Sequence, residues 1–287
     1  MYTLNCKGRL LVVDKPLVMG IINTTPDSFY EESRFTGIDG ILKKAELMLK
    51  QGASILDIGG QSTRPGSERI SADEELQRVI GAVESMHFNF PDAVIAVDTY
   101  WSKVAREAVA AGASIINDIS AGTADPDMPG TAGALQTPFI AMHMPGSLNS
   151  MHQKPAYENM MREMLDFFIK KMEDCHRAGI RDIIIDPGFG FGKTLSQNFE
   201  LLQQLSVFNI LDRPILLGLS RKSSIYNTLG ITAGEALNGT TVLNTVGLLN
   251  GASILRVHDV KEAVEAVKLV GELGNSGIGK PGNRSRS

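Results

Sequence analysis

The sequence predicts an α/β chain closed as a (β/α)8 TIM barrel behind a short N-terminal β-hairpin. Three observations carry that prediction. Eight short apolar runs alternate with amphipathic stretches over about 250 residues, the usual size of such a barrel. One phrase recurs at both ends of the chain: Gly52-Ala-Ser-Ile-Leu-Asp57 is echoed by Gly112-Ala-Ser-Ile-Ile-Asn117 and Gly251-Ala-Ser-Ile-Leu-Arg256, with Gly179–Asp186 a longer variant. Each copy reads as a helix stopping on glycine, a buried strand, and a polar residue where the strand runs out. A doubly wound open sheet is the alternative. The missing dinucleotide fingerprint and the repetition at both ends favour closure.

Taken in order, residues 1–17 form the hairpin, with Leu10–Val13 strand-like and Asp14-Lys15-Pro16 breaking it. Strands are expected at 17–22, 54–58, 94–97, 114–117, 138–142, 183–185, 215–217 and 253–256. Ile41, Ala45 and Met48 give helical spacing through Ile38–Gln51. Ser71 with Glu74 makes a capping box for a helix through Leu76, Val79, Ile80 and Val83. Ser102–Ala111 is helix, and Met161, Leu165, Phe168, Met172 and Cys175 stripe one face of another, as core rather than a cofactor box. Helices follow at Asn198–Leu205 and Glu235–Leu249, and Asp259 and Glu262 cap the last one. One domain spans 1–273, and the tail 274–287 is expected to be disordered. Two segments, Asn23–Gly37 and Gly59–Ile70, are long enough to act as lids.

The 287 residues are 43% hydrophobic and 21% charged, ordinary for a globular protein with a large core. A net charge of −4 argues against nonspecific nucleic-acid binding. Cys6 and Cys175 are too few for a disulfide scaffold or a Cys-rich zinc site. There is no signal-peptide pattern, and no run reaches the roughly 20 apolar residues of a membrane span. The expectation is a reduced, cytosolic protein.

On a barrel, functional side chains gather at the carboxyl ends of the strands. Those positions hold Asn23, Asp57, Asp98, Asn117, Met142 with His143, Asp186, Ser220-Arg221-Lys222, and Arg256 with His258. Asp98, Asn117 and Asp186 suit a flat, nitrogen-rich heterocycle, whereas Arg64, Lys222, Arg256 and His258 suit an anion. A heterocycle joined to a phosphate group fits both sets. Asp57 reads equally well as a loop-fixing carboxylate or a ligand contact. His143 is expected beside the rim rather than in catalysis, and Lys193 exposed as a solvated charge. The stretch Ile183–Lys193, IIIDPGFGFGK, resembles a phosphate loop but misses both glycine patterns, because Pro187 and Lys193 stand where glycine is needed. Scattered single acids make a dedicated transition-metal site improbable, whereas magnesium often enters with phosphate and needs one or two protein oxygens.

Seven motifs then appear in order: MGIINTTPDSF at 19–29, DIGGQSTRPGS at 57–67, VDT at 97–99, IND at 116–118, DPGFGFGK at 186–193, LSRKS at 219–223 and RVHDV at 256–260. Together they make the chain resemble the dihydropteroate synthases. The resemblance implies condensation of 7,8-dihydropterin pyrophosphate with para-aminobenzoate, through an SN1-like pterin cation, for folate synthesis. It implies pterin binding by Asp98, Asn117, Met142, Asp186, Gly218 and Lys222, and pyrophosphate binding by Asn23, Arg64, Arg256 and His258. Thr63, Arg64, Pro65, Phe191, Lys222 and Ser223 fall to the aminobenzoate site, which sulfonamides would share. Asn23 also falls to Mg²⁺, and Asp27 and Phe29 to the first of the two long loops. Asp98, Asp186, Lys222, Arg256 and His258 are the implied catalytic set, on a homodimer in the cytoplasm. Two departures stand out: Gln61 replaces the glutamate common in the family, and Tyr30-Glu31-Glu32 replaces Ser-Asp-Gly. The rival readings are a pterin-dependent methyltransferase, which needs no pyrophosphate clamp, and a catalytically silent pterin-binding homologue.

Overall fold

The computed structural model describes residues 1–24, 37–61, 67–146 and 157–275. The chain opens with an antiparallel pair, β1 (Tyr2–Cys6) and β2 (Arg9–Val13). Eight parallel strands follow: β3 (Leu17–Asn23), β4 (Ile55–Gly59), β5 (Val94–Asp98), β6 (Ile115–Asp118), β7 (Phe139–Met142), β8 (Ile183–Asp186), β9 (Leu216–Leu217) and β10 (Ile254–Val257). They pair in chain order from β3 to β8, and β10 pairs with both β3 and β9. A parallel bridge between Ile185 and Ile215, just ahead of β9, closes the ring.

Helices α1 (Ile38–Lys50), α2 (Ala72–Asn89), α3 (Ser102–Ala111), α4 (Met128–Leu135), α5 (Met160–Arg177), α6 (Leu195–Gln203), α7 (Ser223–Leu229), α8 (Leu237–Leu249) and α9 (Val260–Asn275) lie between and after the strands. The repeated glycine phrase is a helix stop welded to a strand start. Gly52, Gly112, Gly179 and Gly251 have φ of 102°, 122°, 88° and 100°, in the left-handed region that favours glycine. The next amide then reaches back five residues: Ala53 to Met48, Ala113 to Ala108, Ile180 to Cys175 and Ala252 to Gly247, each at 2.9 Å. This is the Schellman closure, which satisfies a carbonyl the helix leaves open. One residue on, the amides of Ser54, Ser114 and Ser253 donate to Val18, Ile95 and Ile215 at 2.8 Å and begin strand pairing.

Strand alternation sorts the core into two layers. Outward residues such as Ile22, Leu56, Val97, Ile185 and Val257 pack under the helices. Inward residues Met19, Ile55, Ala96, Ile115, Ile140, Ile184, Leu216 and Ile254 fill the barrel, and Leu4, Cys6 and Val13 of the hairpin seal its floor. The Asn5 amide donates to Asp182 at 2.7 Å, and Lys7 to the Val109 carbonyl at 2.7 Å, tying the hairpin down.

Several expectations change in detail. Helix α4, the 3-10 turn Leu205–Leu211 and α7 were not legible, being short and built from small or irregularly spaced residues. The helix expected over 198–205 begins earlier, at Leu195, because Thr194 and Gln197 form a reciprocal capping box. At α2 the box is only half made: Ser71 accepts from the Glu74 amide at 3.2 Å, but the Glu74 carboxylate pairs with Arg78. Asp259 gives its carboxylate to Arg221 through two 2.8 Å bonds rather than serving as a simple cap. Helix α9 runs through Asn275, past the expected end at 273, and 276–287 lie outside the described residues.

Helix α4 backs directly onto the end of α5. A Cβ on Gly133 would lie 1.8 Å from the Ala178 carbonyl oxygen, whereas one on Gly130, in the same helix, meets nothing within 4 Å. Gly133→Ala should therefore destabilise the fold by about 3 kcal/mol through overpacking. Gly130→Ala should stabilise it by about 0.5–1 kcal/mol through helix propensity. Urea denaturation of the two variants checks the pair, and equal effects would refute the close approach.

Candidate active site

The inward register that fills the barrel with aliphatic side chains turns polar towards the carboxyl ends. Asp57 follows Ile55, Asp98 follows Ala96, Asn117 follows Ile115, Asp186 follows Ile184 and Arg256 follows Ile254, each two residues on. Asn23, Met142 and Gly218 share that register on β3, β7 and just after β9. The strands thus bring together most of the expected pterin and pyrophosphate residues as one layer above the apolar fill.

Arg256 stands at the centre of that layer. Its Nε donates to Asp57 at 2.5 Å and its Nη2 to Asp98 at 2.5 Å. Asn117 donates to the same Asp57 oxygen at 3.2 Å. Asp57, fully buried, is therefore the joint between Arg256 and Asn117, a role the sequence left open. Burial works against the Arg256 charge, but Asp57 and Asp98 outweigh it, so the guanidinium holds its proton more tightly than a free arginine. Burial pushes the Asp98 carboxyl up to about 7 against the pull of Arg256, with Asp57 and Asp118 adding to the rise.

The glycine stretch after β8 builds one wall. The Gly188 amide donates to Asp186 at 2.7 Å, fixing that carboxylate towards the pocket. Burial raises the Asp186 pKa although Lys222 opposes it, and burial lowers Lys222 to about 8. The Lys222 ammonium donates to the Phe189 carbonyl and lies 4.5 Å from the centre of the Phe191 ring. Ser223, the next residue, opens α7. A Cβ on Gly188 would meet the His143 carbonyl oxygen at 2.0 Å, and one on Gly190 the Lys222 side chain at 2.8 Å. Gly188 is thus needed for packing against His143 behind the loop, and Gly190 for the approach of Lys222 from the pocket side.

Lys193 corrects an expectation. It is buried, only 7% exposed, not a solvated charge on the rim. His143 is also buried, edge-on to Phe167 at 5.0 Å, beside the rim as expected. His258 accepts from or donates to Ser220 Oγ at 3.0 Å, and burial pushes it down to about 4, with Lys44 and Arg256 contributing. Its neighbour Arg221 ties the β9 and β10 ends together through Asp259 and the Gly234 carbonyl. At the edge of the polar layer, Tyr100, Ile119, Met142 and Met144 form an apolar lip against which Trp101 and Phe191 pack. Trp101 and Tyr100 lie 5.1 Å apart, and Arg69 covers both rings.

Asp27, Phe29, Thr63, Arg64 and Pro65, like Tyr30-Glu31-Glu32, lie outside the described residues. Gln61 is described and uses both ends of its amide: Nε2 donates to the Glu68 carbonyl and Oε1 accepts from the Ile70 amide, both at 2.9 Å. A carboxylate there could accept from Ile70 but could not donate to Glu68.

A family model described as pterin binding enzyme matches residues 19–258. The chain belongs to the pterin-binding enzymes. Within that family its relatives are dihydropteroate synthases. The dihydropteroate synthase of Escherichia coli K12 is 42% identical over 266 residues, covering 92% of this chain and 94% of that protein. The Yersinia pestis dihydropteroate synthase, solved with a sulfonamide drug complex, superposes with a TM-score of 0.90 at 39% identity, covering 96% and 100% of the two chains. The Xanthomonas albilineans enzyme, solved with 4-aminobenzoic acid, does so at 0.88 and 36% identity, covering 96% and 99%. The barrel is thus that of the pterin-binding enzymes.

One buried acid behind the site went unread in the sequence. Glu75 of α2 accepts from Thr99 Oγ1 at 3.2 Å through one oxygen, and its other oxygen has no partner among the described residues. Burial and then the charge of Asp98 push it from 4.5 up to about 8. A carboxyl raised in the folded state keeps its proton there while the unfolded chain has lost it, so stability falls as pH rises from about 5 to about 8. Asp98 acts in the same direction up to about 7. Glu75→Gln should flatten that fall by up to about 1.4 kcal/mol per pH unit. Urea melts at several pH values in this window measure it, and an unchanged slope would remove Glu75 as the titrating group.

Proposed function

We propose that this protein is a dihydropteroate synthase, a transferase that condenses 6-hydroxymethyl-7,8-dihydropterin pyrophosphate with para-aminobenzoate to give dihydropteroate and pyrophosphate in folate biosynthesis. The observation that carries the reading is the inward polar layer, in which heterocycle-reading groups adjoin a guanidinium anchored by two carboxylates. Asp98, Asn117, Asp186 and Lys222 supply acceptors and donors for the edge of the pterin, with Met142 and Gly218 lining its faces. A Cβ on Gly218 would rest 3.8 Å from Arg256, so glycine keeps this side of the layer low.

The chemistry asks little of a general base. The bond between the pterin methylene carbon and the pyrophosphate oxygen breaks, its electron pair leaves with the pyrophosphate, and the ring delocalises the resulting cation. The aromatic amine then forms the new C–N bond with its lone pair and loses one proton. Buried Asp98 and Asp186 favour the cation, and Arg256 and His258 favour the departing anion. Arg256 enters the reaction already oriented by Asp57 and Asp98, so an arriving anion meets a fixed donor rather than a mobile side chain. His258, held by burial below the usual histidine range, is drawn back towards protonation as a dianion approaches.

Magnesium fits the donor chemistry available. Asn23 offers an amide oxygen at the end of β3, opposite Gly59. Among the described residues no three His, Cys, Asp or Glu side chains converge, so the ion would depend on Asn23, the pyrophosphate oxygens and water. Bound there, it supplies neutralisation of the leaving group. Phe191, Lys222 and Ser223 form the described side of the aminobenzoate site, and Thr63, Arg64 and Pro65 complete it by family resemblance, with Arg64 also reaching the pyrophosphate.

We also read the protein as a cytosolic homodimer. Both cysteines are free and buried, and α8 and α9 expose Val242, Leu249 and Leu269 at 53%, 60% and 71%. Among the described residues no helix is long and apolar enough to cross a membrane.

Three outcomes test the reading. Purified protein should release pyrophosphate from the dihydropterin substrate only with Mg²⁺ present, and should couple the pterin to para-aminobenzoate; binding without release would overturn it. Arg256→Ala should weaken the pyrophosphate substrate about a hundredfold, or about 2.7 kcal/mol, and dihydropteroate much less. Equal losses by calorimetry would take Arg256 out of the anion site. Sulfonamides should inhibit competitively with para-aminobenzoate, and noncompetitive inhibition would contradict the placement at Phe191, Lys222 and Ser223.

A further inference from the structure

The loop Asp186–Lys193 is wound between two amines, and only one of them belongs to the site described above. Lys222 reaches it from the pocket side and holds the Phe189 carbonyl. Lys193 reaches it from behind. Its Nζ donates to the Gly188 carbonyl at 3.0 Å and the Phe191 carbonyl at 3.3 Å, and lies 3.3 Å from His143 Nδ1. An ammonium has three protons, and these are three acceptors. His143 can accept only when neutral with its proton on Nε2, and burial, followed by the Lys193 charge, pushes it down to about 3. Burial likewise lowers Lys193 to about 7, opposed by Asp186. The tripod is therefore complete and sealed from water.

We propose that Lys193 is a positioning residue for the aromatic second substrate, setting the place of Phe191 by gathering the Gly188 and Phe191 carbonyls onto one ammonium behind the pocket. The two walls of the site are anchored differently. Asp186 ends strand β8 and its carbonyl accepts from the His143 amide at 2.8 Å, so the sheet itself places the pterin reader. Phe191 has no strand beneath it. Its amide donates to the Gly188 carbonyl at 3.1 Å, and the same carbonyl is bound by Lys193, so the turn bearing the ring closes around this amine. Asn198 adds ties at the Gly190 amide, 2.6 Å from its Oδ1, and at the Lys193 carbonyl, 3.3 Å from its Nδ2. Loss of Lys193 would loosen the aminobenzoate wall directly, whereas the pterin edge keeps its strand anchor at Asp186.

The proposal rests on the assignment of Phe191 to the aminobenzoate site, and the experiment separates the two. Failure of the wild-type protein to couple the pterin to para-aminobenzoate would refute the functional reading. With that coupling established, Lys193→Met should raise KM for para-aminobenzoate at least tenfold while pterin affinity by calorimetry changes less than threefold. Phe191→Ala should raise the same KM, and the double variant should be no worse than the poorer single one. An unchanged aminobenzoate KM, equal losses for both substrates, or additive effects would overturn the proposal. If Lys193→Met does not fold, Lys193→Arg, which keeps a cation but misplaces it, is judged by the same split.

Discussion

The pairing of Arg256 with Asp57 and Asp98 is the constraint on which the rest of the mouth depends. It ties β10 to β4 and β5 across the top of the barrel and hands Asp57's second bond to Asn117 on β6. A buried ion pair of this kind is weak evidence of net stability, because desolvation offsets much of the Coulomb gain. Its effect is positional. Three charges and an amide are fixed before any ligand arrives, and the same burial moves the proton affinities of Asp98 and Lys222 towards neutrality. Binding energy can then act on the reacting bond rather than on ordering the site.

The fold was legible because its two strongest signals are physical necessities. A helix that must end and turn back into a strand needs a left-handed residue, so glycine recurs at 52, 112, 179 and 251. A strand lining a closed barrel must alternate, so two-residue steps from Ile55, Ala96, Ile115, Ile184 and Ile254 lead to the polar layer. The segments that went unread lack such signals. Helix α4, with a proline and two glycines in eight residues, resembles a loop until its backbone contact with Ala178 is seen.

The strand-end layer was legible in its membership but not in its wiring. Strand ends point to Asp98, Asn117, Asp186 and Arg256, yet nothing in spacing tells which carboxylate Arg256 will choose. Asp57 became the joint only when β4 and β10 were placed two strands apart. Lys193 was misplaced for a related reason. A lysine after three glycines looks solvated, and only the tight turn that those glycines permit brings its amine under the carbonyls of residues 188 and 191. Glu75, on a helix with otherwise ordinary charge, gives no hint that it faces Thr99 rather than water.

The apolar lip has a consequence for watching the protein at work. Trp101 is the chain's single tryptophan, and it lies against Tyr100 and beneath Arg69 at the barrel mouth. All indole emission therefore originates beside the pocket, with no second fluorophore of its kind to dilute it. The cluster it packs against contains Tyr100 and Met142, and under the proposed function a bound pterin would meet Met142. The protein carries its own optical gauge of occupancy, placed by packing rather than by labelling.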